Sequence, residues 1–463
     1  MTDVKPSVFK SSLYYPGGSS NTTDVVTFFN RSGSRGSIWS MDHETAFIGV
    51  RSKIRGEELC GILPEDRRQH VYVIGKTGTG KTTLLRNLIC QDIMRGHGVG
   101  IIDPHGDLAE ELLDCIPSWR ADDVLYFNPA DADFPVGFNL LHASSSDRRP
   151  VEASSVVAAF KHYWRDSWGP RLEYILYASV AALMECENVS LLSVSRMLSD
   201  EQYRLWVVKQ VSDPVVRSFW ENEFAHYDTR FLAEVIAPIQ NKVGQLLMAA
   251  PLRNVFGQVK SKIAPRFIMD NKRIFIANLS KGRLGEDKAN LLGSLLVSKF
   301  HTAAMERADV PEESRTDFYL FIDEFQNFST DSFANILSEA RKYRLNLTLS
   351  HQYVEQMSDE VREAIFGNVG SLISFRIGAS DAKILANEFG GEYDPRNFSS
   401  LANHNICAKI MDQGEYIKPF FARTLSPIPC FHGHREKLVK RSREKFAVLR
   451  NVIESKILRW MNH

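Results

Sequence analysis

The stretch VYVIGKTGTGKTTLL, Val71 to Leu85, decides the fold. Four apolar residues run into a glycine-rich turn, and TTLLRNLICQDIMR then repeats apolar residues at helical spacing. Gly75, Lys76, Thr77, Gly78, Thr79, Gly80, Lys81 and Thr82 fit G-x-x-x-x-G-K-[ST] at every position, between a strand and a helix as that motif requires. The glycines let backbone N–H groups curl around phosphate oxygens, and the helix start adds positive dipole. Lys81 is placed to reach the β and γ phosphates of ATP, and Thr82 to offer its hydroxyl to Mg²⁺; Thr83 completes the phosphate-binding set.

Around this stretch, short apolar runs alternate with longer helical patterns. GVGIIDP and DVLYFNP are each stopped by proline, and RIFIANL, FYLFIDEF, LNLTLSH, LISFRIG and the pair ICAKIMD and YIKPFFA resume the strand signal later. Between them, from about Val151 to Gly257, the text is helical, with Ser190, Ser199 and Asp213-Pro214 where caps and first-turn prolines belong. Alternating strands and helices imply a mainly parallel sheet covered on both faces. The expected fold class is therefore α/β, a P-loop core interrupted by an all-α insertion. The expected domains are an N-terminal extension with a small β element (1–65), a first core part (66–145), the insertion (146–261), a second core part (262–430) and a basic tail (431–463). The tail carries Arg435, Lys437, Lys440, Arg441, Arg443 and Lys445, followed by an amphipathic helix with Phe446, Leu449, Ile453, Ile457 and Trp460 on one stripe. Docking on the protein's own core is favoured for it over a nucleic-acid contact.

Bulk properties narrow the class. The 463 residues can bury a sizeable core. Lys+Arg and Asp+Glu balance at 56 each, which argues against coating nucleic acid with the whole surface but leaves room for a basic channel. Six scattered cysteines without a CxxC pair suit reduced thiols in a cytoplasmic protein. No run approaches ~18 apolar residues, so no transmembrane helix or direct membrane insertion is expected.

A phosphate cradle alone hydrolyses nothing. FYLFIDEFQNF buries Phe318 to Ile322 and delivers Asp323 and Glu324 to the strand's carboxyl end, where ligands sit in open α/β sheets. Asp323 can hold Mg²⁺ through water, and Glu324 can polarise the attacking water. LNLTLSHQ ends in Ser350, His351 and Gln352; the glutamine can hydrogen-bond both water and γ-phosphate, whereas His351 reads as structural. In ILSEARKYRLN, Arg341, Lys342 and Arg344 close a helix, where cations suit the negative dipole end. A finger into a neighbouring subunit competes evenly with that role for Arg341. Asp103 and Asp107 in IIDPHGDL are read as shaping the pocket, with Asp107 capping a helix. Lys281 and Arg283 lie on a polar loop after RIFIANL, where DNA phosphates are one candidate partner and solvent the other. Trp164, Trp168 and Arg171 read as core packing.

IGKTGTGKTTLL, GVGIIDPHGDL, FIDEFQNF and EARKYRLNLTLSHQ together resemble the HerA/FtsK superfamily of ring-forming DNA-pumping ATPases, whose core is RecA-like. Within it the sequence is most similar to the conjugative coupling-protein branch associated with type IV secretion, from about Tyr72 to Ile417 and including the helical insertion. The resemblance implies that Lys81 and Thr82 are the Walker A pair, Asp323 and Glu324 Walker B, Gln352 the motif III glutamine and Arg341 the trans arginine finger. Membrane-bound coupling proteins carry N-terminal transmembrane helices that this sequence lacks, so it is expected either to be one of the soluble members or to reach the membrane through a partner. The expected activity is ATP-driven, sequence-independent DNA translocation by a hexamer. The alternative is an ATP-controlled ring scaffold for a partner nuclease or NAD-degrading effector in anti-phage defence; a secretion or relaxase component is a further candidate partner, and protein export a third use. No LSGGQ-like signature or N-K-x-D is present, which sets aside ABC-type dimers and GTPases.

Overall fold

The structure, a computed structural model, describes residues 44–54, 56–142, 145–329, 333–429 and 433–462, with the strands β1 (Ser11–Leu13), β2 (Thr23–Phe29) and β3 (Arg35–Ser37). Those three pair antiparallel in a small sheet of their own. The remaining strands are β4 (Ala46–Lys53), β5 (Gly56–Ile62), β6 (Val71–Ile74), β7 (Gly98–Asp103), β8 (Val124–Phe127), β9 (Ile274–Asn278), β10 (Phe318–Ile322), β11 (Leu345–His351), β12 (Ser371–Ser374), β13 (Asn405–Lys409), the two-residue β14 (Met411–Asp412) and β15 (Glu415–Tyr416), and β16 (Phe420–Thr424). Except for the β14–β15 ribbon, they form one sheet of eleven, ordered β5-β4-β16-β13-β12-β6-β11-β10-β7-β9-β8. From β12 to β8 every pair is parallel. From β12 to β5 every pair is antiparallel.

The near-continuous apolar runs follow from burial on both faces. In β10, Phe318, Leu320 and Ile322 enter one core while Tyr319 and Phe321 enter the other. β6 divides likewise, with Tyr72 and Ile74 opposite Val71 and Val73. The helix Lys81–Met94 covers the second core with Leu84, Leu85, Leu88 and Ile89. The helix Glu286–Met305 covers the first with Leu292, Leu295, Leu296 and Phe300.

The helices from Arg149–Tyr163 to Ala250–Phe256 are inserted between β8 and β9, with no strand among them in the described residues. Their core is continuous with that of the sheet: the rings of Phe127, Phe138 and Phe256 follow one another at 6.2 and 6.1 Å. Asp213 caps its helix through the N–H groups of Val215 and Val216, with Pro214 in the first turn, as expected. Ser199 is different. It is the last residue of Leu192–Ser199, and the cap of the next helix is Asp200, which accepts from the N–H of Tyr203. Trp164 packs on Phe160 and Tyr163, and Trp168 donates its indole N–H to Glu173 at 2.8 Å.

The tail folds back on the protein as two helices, Arg435–Phe446 and Arg450–Asn462, rather than one. The break is stabilised from outside: Ala447 pairs with Val136, the N–H of Val448 donates to the Pro135 carbonyl, and that of Arg450 to the Asp133 carbonyl. Ile453 and Ile457 are buried as the stripe predicts, but Leu449 at the break is 52% exposed. The basic run is taken up by carboxylates, Arg435 on Asp114, Arg441 and Lys445 on Asp122, and Arg443 on Asp131. One expectation about thiols fails. Cys115 is disulfide-bonded, while Cys60, Cys90, Cys186 and Cys407 are free. No helix among the described residues is long and apolar enough to cross a membrane.

Candidate nucleotide site

The phosphate loop hangs from three neighbours at the carboxyl ends of the strands. The N–H of Gly75 donates to the His351 carbonyl at the tip of β11 (3.2 Å), that of Lys76 to the Arg376 carbonyl after β12 (2.8 Å), and the Thr79 carbonyl accepts from the N–H of His404 before β13 (2.8 Å). Gly80, the N-cap of Lys81–Met94, has φ +118°, and a Cβ there would lie 2.9 Å from the His404 imidazole. Any other residue would be strained twice, by conformation and by contact. No side chain caps this helix, so the N–H groups of its first turn point at an anion site.

Lys81 is buried, and its ammonium group donates to the Gly75 and Lys76 carbonyls of its own loop. Burial lowers its pKa, while the charges of Glu324 and Asp323 pull the other way. Thr82 is exposed in the first helical turn, with Thr83 beside it.

β10 delivers Asp323 and Glu324, only 7% and 5% exposed. Asp323 is pushed up to about 6, first by burial and then by the charges of Asp103 and Glu324. Glu324 adopts φ +46°, ψ +52°, a left-handed conformation that non-glycine residues seldom take. Gln352 links the two halves of the site. Its amide nitrogen donates to Glu324, and its carbonyl accepts from the Thr77 hydroxyl at 3.0 Å. Since an ionised carboxylate only accepts, the amide orientation follows from the network.

His351 is fully buried, bonded through Nδ1 to the Tyr72 hydroxyl (3.0 Å), and held by burial near a pKa of about 3, hence neutral. Asp103 is also buried, with its carboxylate accepting from the N–H groups of His105 (2.8 Å) and Ala109 (2.9 Å). The expected capping role of Asp107 thus belongs to Asp103 and Gly106; Asp107 is already the first helical residue.

Lys81, Asp323, Glu324 and Gln352 are brought together. Arg341 is not. It lies in the turn Ala340–Tyr343 before β11, exposed, with no side-chain hydrogen bond or ion pair among the described residues. Its charge bears on His70, at the amino end of β6. β11 spans seven residues, roughly 20 Å at about 3.3 Å each, and separates Arg341 from its own phosphate loop. Lys281 and Arg283 form a short helix, Lys281–Leu284, after the carboxyl end of β9, where Arg283 stands 3.9 Å from Glu110. Sequence reading missed Gln326, whose amide donates to Glu324 at 2.9 Å, and the loop supports Arg376 and His404. None of the three has a signal outside the fold.

The sequence matches the family described as type IV secretion-system coupling protein DNA-binding domain over residues 60–399. Among solved structures it is similar to the bacterial conjugative coupling protein TrwBdeltaN70 in its unbound form, at 16% identity and a TM-score of 0.57, covering 81% of this chain and 89% of that one. The plasmid coupling protein TrwB in complex with ADP and Mg²⁺ is similar at 16% identity and a TM-score of 0.59, over 80% of this chain and 88% of that one. VirB4 of Thermoanaerobacter pseudethanolicus is similar at 12% identity and a TM-score of 0.56, over 83% and 97%. No curated protein matches.

Proposed function

Because the chain belongs to the type IV secretion-system coupling protein DNA-binding domain family, we propose that it is a Mg²⁺-dependent ATPase that works as a ring and moves DNA without reading its sequence. The uncapped helix start and the loop N–H groups bind the phosphates, with Lys81 turning from its own loop carbonyls to the β and γ oxygens. Thr82 and Asp323 would hold Mg²⁺, which neutralises charge on the phosphates when bound. A carboxylate pushed up to about 6 by burial and by two like neighbours fits a cation. Glu324 takes the proton of the attacking water, and Gln352 reports the γ-phosphate to it.

The observation that carries the ring is the position of Arg341. An exposed, unpaired arginine a full strand length from its own phosphate loop is free to complete a neighbour's site. Six copies in a closed ring are the expected assembly. Lys281 and Arg283, at the same edge of the sheet as the phosphate loop, are the candidates to grip DNA phosphates. A partner of the secretion or relaxase type would receive the DNA, and TrwB, a plasmid coupling protein solved with an ATP analogue, offers an analogy for the chemistry.

The test is ATP turnover of the purified protein with and without long DNA of mixed sequence. Turnover should rise several-fold with DNA irrespective of its sequence, and Lys81→Ala should lower it at least about 100-fold. Turnover indifferent to DNA would remove the motor reading, and turnover surviving Lys81→Ala would remove the ATPase reading.

A further inference from the structure

Both oxygens of the Glu324 carboxylate are occupied by side-chain amides. Gln352 donates to Oε1, and Gln326 donates to Oε2 at 2.9 Å. The two amides come from different elements, one from the tip of β11 and one from the turn Phe325–Asn327 that follows Glu324 itself. Glu324 is buried and left-handed, so its side chain has little freedom to leave this hold. The second face of Gln326 is bare: its carbonyl oxygen is buried and accepts no hydrogen bond. A glutamine that leaves one end unsatisfied while the other holds a carboxylate is positioned by that carboxylate and has no competing anchor for its amide.

The oxygens that must receive water are those the amides already use, so Glu324 can act on water only when an amide lets go. Gln352 has a reason to let go. Its carbonyl is tied to Thr77 in the phosphate loop, so a γ-phosphate entering the loop competes for the same side chain. Among the described residues Gln326 makes no hydrogen bond to the loop.

We propose that Gln326 is a positioning residue that restrains Glu324, so that its hold on Oε2 sets the DNA-independent rate at which the general base becomes available. This rests on the ATPase reading of the site. Release of Gln326 then belongs to movement of the Phe325–Asn327 turn against β11, the segment through which a neighbouring subunit or bound DNA would raise the rate.

The experiment compares Gln326→Leu, which keeps the volume and deletes the donor, and Gln326→Ala with the wild type and Lys81→Ala. It measures kcat and KM of steady-state turnover without and with DNA, and binding of a fluorescent ATP analogue. Both Gln326 variants should raise kcat without DNA about tenfold, the rate equivalent of one hydrogen bond, with KM and analogue affinity unchanged. The stimulation by DNA should shrink by the same factor. A residue that merely fills space would lower kcat or move KM and analogue affinity, and would not raise kcat alone. No gain in kcat in either variant, or a fall, overturns the restraint, whether the wild-type rate is measurable or nil. Failure of the wild type to bind the analogue, or turnover that survives Lys81→Ala, defeats the ATPase reading instead.

Discussion

The two ends of the central sheet use charge in opposite ways. At the amino ends of the parallel strands four arginines are matched within the chain. Arg67 forks onto Asp92 at 2.7 and 2.8 Å and lies 3.8 Å over the Tyr319 ring. Arg68 grips Asp317, Arg307 holds Asp270 and the carbonyls of Thr316 and Tyr343, and Arg273 pairs with Asp123. At the carboxyl ends Lys81, Asp103, Asp323 and Glu324 face one another, yet none of them forms an ion pair with another. Matched charges fix the frame. Unmatched ones hold a site ready for a ligand that brings its own charge.

Arg341 is unmatched at the amino end, and it offers the largest effect. Arg341→Ala should spare ATP binding and lower turnover about 10³-fold, the low end for an arginine finger. The decisive measurement is a mixture. Lys81→Ala protomers cannot use their own sites but still present Arg341 to a neighbour. Co-assembled with Arg341→Ala protomers, which have intact sites, they should restore part of the activity that neither variant has alone. Near-wild-type turnover in Arg341→Ala, or no recovery in the mixture, would return Arg341 to the matched, structural population around it.

Arg67 should behave in the contrary manner. Removing one partner of a buried pair leaves Asp92 charged and dry, so Arg67→Ala should cost about 3–5 kcal/mol in chemical denaturation. The double variant Arg67→Met, Asp92→Leu should recover most of that loss, and the ATP affinity of the folded fraction should stay as it was. A single variant as stable as the wild type would break the assignment of this end to the frame.

This contrast also marks what could be read from the sequence. The phosphate loop, the Asp323–Glu324 pair and Gln352 are legible because each sits at the end of an apolar run whose direction the run itself fixes. The sheet order is not in the text: β4, β5, β13 and β16 join the same sheet antiparallel from both termini of the chain. Gln326 was visible in FIDEFQNF, but nothing local distinguishes a glutamine that bonds Glu324 from one that faces solvent. The tail stripe predicted a single helix because the pattern is continuous; the 133–136 segment that takes over its backbone bonds is more than 300 residues away. Motifs that chemistry demands in one place are local. Supports are supplied from wherever the fold brings them.

The smallest effect tests the carboxyl end by its stability. Asp323 has its folded pKa raised, from 3.8 to about 6, so its charge opposes folding of the nucleotide-free protein. A carboxylate shifted in this direction contributes most favourably below about pH 4, and that contribution is lost as pH rises through about 6. Asp323→Asn removes the charge while keeping the shape. At pH 7.5 the nucleotide-free variant should be more stable than the wild type by about 1–3 kcal/mol, the upper figure being roughly two pKa units at 1.36 kcal/mol each and the lower one allowing for an imperfectly bonded amide. The advantage should vanish below about pH 4, where the wild-type group is also neutral. With MgATP the order should reverse, because the wild type gains stability on binding and the variant has lost a ligand to the metal. A gain in stability coupled to a loss of function is the signature of an unmatched charge. If Asp323→Asn is instead destabilised at pH 7.5 in the absence of nucleotide, Asp323 belongs with Asp92 and Asp317, and the two ends of the sheet differ less than their geometry indicates.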